Sequence, residues 1–124
     1  MVSGVPVQGD IIMISADPRR GHEQQGRRPY ICLSNKLISD CANIAIFAPI
    51  SGTARKYPLY IPLEGVGTTG AVLLDQLIAI DYNARSFRYV ESVPERLISE
   101  LLEKVVLIFQ PNAPAREGAA ARGS

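Results

Sequence analysis

Ile44-Ala45-Ile46-Phe47-Ala48-Pro49-Ile50 and Ala71-Val72-Leu73-Leu74-Asp75-Gln76-Leu77-Ile78-Ala79-Ile80 are apolar, β-rich runs that point to a sheet. Outward from them, Asp10–Ala16, Tyr30–Ser34 and Tyr57–Leu63 have the same β-rich character, and Gly, Pro, Asn or Asp bounds each run. Several such strands with no ten-residue helix between them indicate an antiparallel sheet closed into a small barrel. The pattern changes once, at the end. Leu97, Ile98, Leu101, Leu102, Val105, Val106 and Phe109 recur at helical spacing. Ser92 and Glu95 read as a capping box, and Pro94 is tolerated in a first turn whose N–H groups have no helical partner. The predicted class is mainly β (α+β), a small antiparallel barrel carrying one C-terminal amphipathic helix. That helix has a wide apolar face, which can pack on its own sheet or extend to a second subunit.

With 124 residues, 47% of them apolar and 20% charged, the chain suits one globular domain and is too apolar for a disordered protein. The predicted domain spans 1–110. The Ala-, Pro- and Gly-rich stretch 111–124 has no apolar side chain larger than alanine and reads as a disordered tail. No internal repeat is present. Thirteen Lys and Arg against twelve Asp and Glu leave a charge of +1, which excludes a uniformly basic nucleic-acid coat. No apolar run of about 18 residues exists and the first ten residues lack a secretory pattern, so the expectation is a cytoplasmic protein with no membrane partner. Cys32 and Cys41 have neither scaffold nor C-x-x-C spacing and are expected to be reduced, mostly buried thiols. A single histidine excludes a multi-histidine metal site.

Asp17-Pro-Arg-Arg-Gly-His-Glu-Gln-Gln-Gly-Arg-Arg-Pro-Tyr30 joins the first two predicted strands and is longer than most hairpin loops. Arg19, Arg20, Arg27 and Arg28 can hold phosphates by forked hydrogen bonds. Gln24 and Gln25 can read base edges, and His22 can move protons near neutrality. The same composition also fits a solvated polar loop.

Ten short motifs then follow in one order. They are Gly9-Asp10-Ile11-Ile12, Asp17-Pro18, Gly21-His22-Glu23-Gln24-Gln25-Gly26, Arg28-Pro29, Ala48-Pro49-Ile50-Ser51, Tyr57-Pro58, Thr69-Gly70, Asp75-Gln76, Ile80-Asp81 and Ala84-Arg85. In that order the chain resembles the MazF/PemK/Kid family of toxin endoribonucleases over residues 9 to about 109. The resemblance implies an SH3-like, CcdB-like barrel with a C-terminal helix, acting as a homodimer. It implies sequence-selective cleavage of single-stranded RNA without metal or cofactor, by attack of the RNA's own 2′-hydroxyl, leaving a 2′,3′-cyclic phosphate and a 5′-hydroxyl. A cognate MazE/PemI-like antitoxin is the implied protein partner. The alternative is a non-catalytic CcdB-like toxin that binds a protein target such as gyrase, and a third is an RNA-binding module without turnover. Arg28-Pro29 with Ser51 belongs to the ribonuclease branch.

Carried over by position, the resemblance makes Arg28, Ser51 and Asp75 the candidate catalytic residues. Arg28 would stabilise the extra charge of a pentacoordinate phosphorus. Ser51 would bond a nonbridging oxygen or orient the leaving oxygen; it keeps the hydroxyl of the family's usual threonine and loses the methyl that restricts its rotamer. Asp75 would accept the 2′-hydroxyl proton, or serve as an acceptor for loop N–H groups. Leu73 stands where the Kid branch has an arginine. His22, Gln24, Arg27, Arg55, Lys56, Tyr57 and Thr69 are the candidate RNA contacts. With them goes Glu23, whose carboxylate would hold a basic side chain or loop amides that fix Arg28. Arg55, Lys56 and Tyr57 would supply phosphate attraction and a stacking face, or be ordinary surface residues.

Overall fold

Ile11 and Ile12 are neighbours in sequence and both are wholly buried. Successive strand side chains point to opposite faces, so this part of the sheet must be covered on both sides. A computed structural model describes residues 4–15 and 26–113 and shows how. The strands are β1 (Asp10–Ile14), β2 (Arg28–Cys32), β3 (Ile44–Ser51), β4 (Tyr60–Pro62), β5 (Ala71–Leu73), β6 (Ile78–Asp81) and β7 (Arg88–Ser92), with a one-turn helix α1 (Lys36–Ser39) and the long α2 (Glu95–Ile108). They form one seven-stranded antiparallel sheet in the order β4-β5-β3-β2-β1-β7, with β6 also on β3. On one face Ile11, Ile31, Ala48 and Val72 pack with Leu97 and Leu101 of α2. On the other, Ile12, Ile14, Cys32, Phe47, Ile80 and Tyr82 make a second core. The mainly β fold with a C-terminal helix is thus as the sequence predicts.

The run Ala71–Ile80 is not one strand. Between Phe47↔Ile78 and Ile50↔Val72, β3 advances three residues while its partner covers six. The surplus is the three-residue 3-10 helix Leu74–Gln76. Its Leu74 is fully buried in the α2-side core, so the kink buries a large side chain while both halves stay on the same edge of β3. In Tyr57–Leu63 only Tyr60–Pro62 is strand, and β7, a polar-apolar mixture, was not foreseen. The capping box is also absent. Ser92 ends β7, and its hydroxyl donates to Asp10 Oδ1 at 2.8 Å, while α2 begins at Glu95, after Pro94 at the N-cap, with no side-chain cap. Asp10 is 1% exposed, and its other oxygen accepts the Val7 N–H at 2.9 Å. A buried carboxylate needs such donors, and this one takes the hydroxyl that the helix end would have used.

The two thiols part company. Cys32 is buried and Cys41 is exposed, which corrects the expectation for the latter. Burial pushes the Cys32 thiol up to about 11, so almost none of it is thiolate near pH 8. A maleimide or nitrobenzoate reagent at pH 8 should label one thiol per folded chain, mapped to Cys41, and the second only in denaturant; rapid labelling of Cys32 in the native protein would contradict this burial.

Of the candidate residues, His22, Glu23 and Gln24, together with Gln25, Arg19 and Arg20, lie outside the described residues, as does the tail from residue 114. Residues 111–113 are exposed.

Candidate active site

The β2–β3 ladder ends at Tyr30↔Pro49. Neither Pro29 nor Pro49 has an N–H to give, so no hydrogen-bonded rung continues the pairing. Carried two residues further in the same antiparallel register, Arg28 comes opposite Ser51. A cleft of about 460 Å³ opens there, lined by Arg28, Tyr30, Ser51 and Thr69 with both prolines. Three residues far apart in the chain, two candidate catalytic and one candidate RNA contact, therefore share one cavity.

Arg28 is exposed at the start of β2, and its Nη1 donates to the Arg27 carbonyl at 3.2 Å. Beneath it, burial raises the Tyr30 phenol above its ordinary pKa, and the nearby Arg28 charge only partly opposes this. Tyr30 is consequently a neutral donor near pH 7 and not a base. Ser51 is the last residue of β3. Its Oγ accepts the Thr53 N–H at 3.2 Å and lies 3.4 Å from Thr53 Oγ1. With one lone pair engaged by the turn, the hydroxyl has its own proton to donate, to Thr53 or to a phosphate oxygen. Gly70 has φ +125°, and a Cβ there would lie 2.7 Å from the Ser51 carbonyl oxygen. Only glycine allows both that backbone and that approach.

A second cleft of about 460 Å³ shares Ser51 and Gly52 with the first and adds Arg55, Lys56, Tyr57 and Tyr60. The Tyr57 and Tyr60 rings are 4.7 Å apart and inclined at 62°. The Arg55 guanidinium carbon lies 4.9 Å and 5.8 Å from their centroids, within cation–π range. A turn bond from the Tyr60 N–H to the Tyr57 carbonyl, 2.9 Å, brings the rings together. Tyr60 was missed at the sequence level, and the i, i+3 spacing of the two tyrosines was the available signal. No acidic side chain lines either cleft among the described residues. Positive charge and aromatic faces without a competing carboxylate suit a polyanion with planar groups.

Two candidates sit elsewhere. Asp75 is exposed in the 3-10 helix, not on a strand, and lines neither cleft. Its neighbour Gln76 donates from Nε2 to the Tyr60 hydroxyl at 3.4 Å, so Asp75 adjoins a residue bonded to the lining of the second cleft. Arg27 is half-buried, and its Nη2 donates to the Ser86 hydroxyl, tying the start of β2 to the segment before β7. Among the described residues no three His, Cys, Asp or Glu side chains are grouped to hold a metal ion, and no helix is long and apolar enough to cross a membrane.

Comparison with known proteins agrees with this architecture. A family profile described as PemK-like, MazF-like toxin of type II toxin-antitoxin system matches residues 7–109. The chain is 35% identical over 107 residues to the Escherichia coli protein named endoribonuclease PemK, covering 82% of this chain and 80% of that one. A crystal structure of MazF from Deinococcus radiodurans superposes with a TM-score of 0.72 at 27% identity, over 86% of this chain and 97% of that one. A MazE-MazF crystal structure from the same organism superposes with a TM-score of 0.71 at 22% identity, over 88% and 100%, and shows the same fold.

Proposed function

The chain belongs to the PemK-like, MazF-like toxins of type II toxin-antitoxin systems, and from that premise we propose that it is an endoribonuclease that cuts single-stranded RNA in the Arg28–Ser51 cleft. The observation that carries the reading is that Arg28, Ser51 and Thr69 line one cavity. The scissile phosphate sits between the Arg28 fork and the Ser51 hydroxyl. The ribose 2′-oxygen forms a bond to phosphorus as the bond to the 5′-oxygen breaks. The 2′-hydroxyl proton goes to a base and the leaving 5′-oxygen takes a proton from water, giving a 2′,3′-cyclic phosphate and a 5′-hydroxyl. Arg28 neutralises the charge that develops on the nonbridging oxygens, and Ser51 donates to one of them. Asp75 is the proposed proton acceptor; because it lines neither cleft, it takes the 2′-hydroxyl proton through a bridging water. Arg55, Lys56, Tyr57 and Tyr60 hold the neighbouring nucleotides by charge and stacking. Thr69 contacts the RNA from the loop side. By resemblance to the family, His22, Glu23 and Gln24 are proposed to contact the RNA as well.

The protein is proposed to work in the cytoplasm as a homodimer. Val106, Leu107 and Phe109 at the end of α2 are 55%, 57% and 70% exposed, an apolar face that a second copy would cover. An acidic MazE/PemI-like antitoxin segment would compete with RNA for the two basic clefts.

A long single-stranded RNA incubated with the purified protein in EDTA tests the reading. Discrete cuts with cyclic-phosphate and 5′-hydroxyl ends are expected, and RNA affinity should fall steeply with salt. Cleavage that vanishes in EDTA and returns with magnesium would refute the 2′-hydroxyl mechanism. Absence of cutting under every condition, with tight capture of a protein target, would favour the non-catalytic toxin.

A further inference from the structure

The strand path β4-β5-β3-β2-β1-β7 ends at β4 and β7, and a side chain of β7 holds the loop that follows β4. Glu91 of β7 accepts three hydrogen bonds from that loop: the Gly67 N–H at 3.2 Å, the Thr68 N–H at 2.7 Å and the Thr68 hydroxyl at 2.5 Å. The loop is closed at its neck by the Leu63 N–H donating to the Gly70 carbonyl at 2.9 Å. Its far side ends at Gly70, pressed against the Ser51 carbonyl, and Thr69 between them lines the Arg28–Ser51 cleft. One short, closed loop thus has Glu91 at one contact and the cleft at the other.

We propose that Glu91 is a positioning residue for RNA cleavage, holding the 63–70 loop so that Thr69 and the Gly70–Ser51 contact keep their places in the cleft. This rests on reading the cleft as the ribonuclease centre. A carboxylate suits the task because its two oxygens accept three donors at once. The Thr68 hydroxyl and the loop amides favour its charged form and hold the carboxyl below the usual range. A neutral or shorter side chain loses at least one of these bonds, and the loop is then free to shift. Small shifts matter in a reacting site, since a displacement of about 1 Å can lower a rate about a hundredfold.

The test is single-turnover cleavage of one RNA by the full chain, comparing the parent with Glu91→Ala, Glu91→Gln, Ser51→Ala and the Glu91→Ala/Ser51→Ala pair. Glu91→Ala should lower the rate about tenfold at saturating RNA, with RNA affinity changed less than about threefold. Glu91→Gln, which keeps an acceptor oxygen, should fall between. The double variant should be only about threefold slower than Ser51→Ala alone, because residues that act through one another are not additive. If Glu91→Ala folds poorly, Thr68→Val removes one of the three donors, keeps the amide, and should slow cleavage with the same coupling to Ser51. Parental rates in these variants, or losses that simply multiply with that of Ser51→Ala, overturn the proposal and leave Glu91 a stability residue. An inactive parent protein overturns the ribonuclease reading itself, which is a different result from an active parent with an indifferent Glu91.

Discussion

Arg28→Lys should lower the single-turnover cleavage rate by about a hundredfold while RNA and antitoxin binding change little. The charge is retained, so long-range attraction to RNA survives. What is lost is the planar fork, which can give two parallel hydrogen bonds to phosphate oxygens where lysine offers a point charge. Removing one donor aimed at transition-state charge typically costs about a hundredfold or more. Lys56→Ala is the contrasting variant. Lys56 is exposed and lines the second cleft, away from Arg28. Its loss should weaken RNA binding modestly, more at low salt than at high, and leave the rate at saturating RNA nearly intact. Arg27 is the poorer comparison, because its bond to Ser86 makes its removal partly a structural change. If Arg28→Lys cuts at the parent rate, or behaves like Lys56→Ala, Arg28 is not the residue at the scissile phosphate, and Asp75 with His22 becomes the better pair.

Gly70→Ala should destabilise the fold by about 2 kcal/mol, the middle of the range for a non-glycine residue forced into a sparsely populated backbone region. In a chain of this size that lowers the melting midpoint by roughly 8 °C. The cause is twofold: φ is +125°, and the new methyl would meet the Ser51 carbonyl oxygen at 2.7 Å, where backbone must move. The movement falls on the Ser51↔Ala71 pairing and on the cleft, so cleavage should fall with stability. Gly52→Ala adds a methyl to open space nearby and should shift stability by less than about 0.5 kcal/mol. Thermal denaturation of the two variants side by side decides the matter; equal midpoints would mean that the approach of Gly70 to Ser51 carries no energetic weight.

The class of fold, the C-terminal helix and the runs Asp10–Ala16, Tyr30–Ser34 and Ile44–Ile50, which overlap β1, β2 and β3, were legible in the sequence, because alternation and helical spacing are local properties of a chain. The sequence also singled out Arg28, Ser51 and Thr69 by resemblance, without showing that they meet. Tertiary structure decided that they do, through an antiparallel register that no local pattern encodes. It turned the apolar run 71–80 into strand, 3-10 helix and strand, since β3 has room to pair both halves only if Leu74 drops into the core. It sent the Ser92 hydroxyl to Asp10, 82 residues away, and it tied Glu91 to Thr68 across 23. It also buried Cys32 while leaving Cys41 in solvent. Each of these outcomes turns on which distant donor, acceptor or apolar surface arrives beside a side chain. Packing of the whole chain settles that, because the free energy of leaving a buried polar group unpaired or a cavity unfilled exceeds most local preferences.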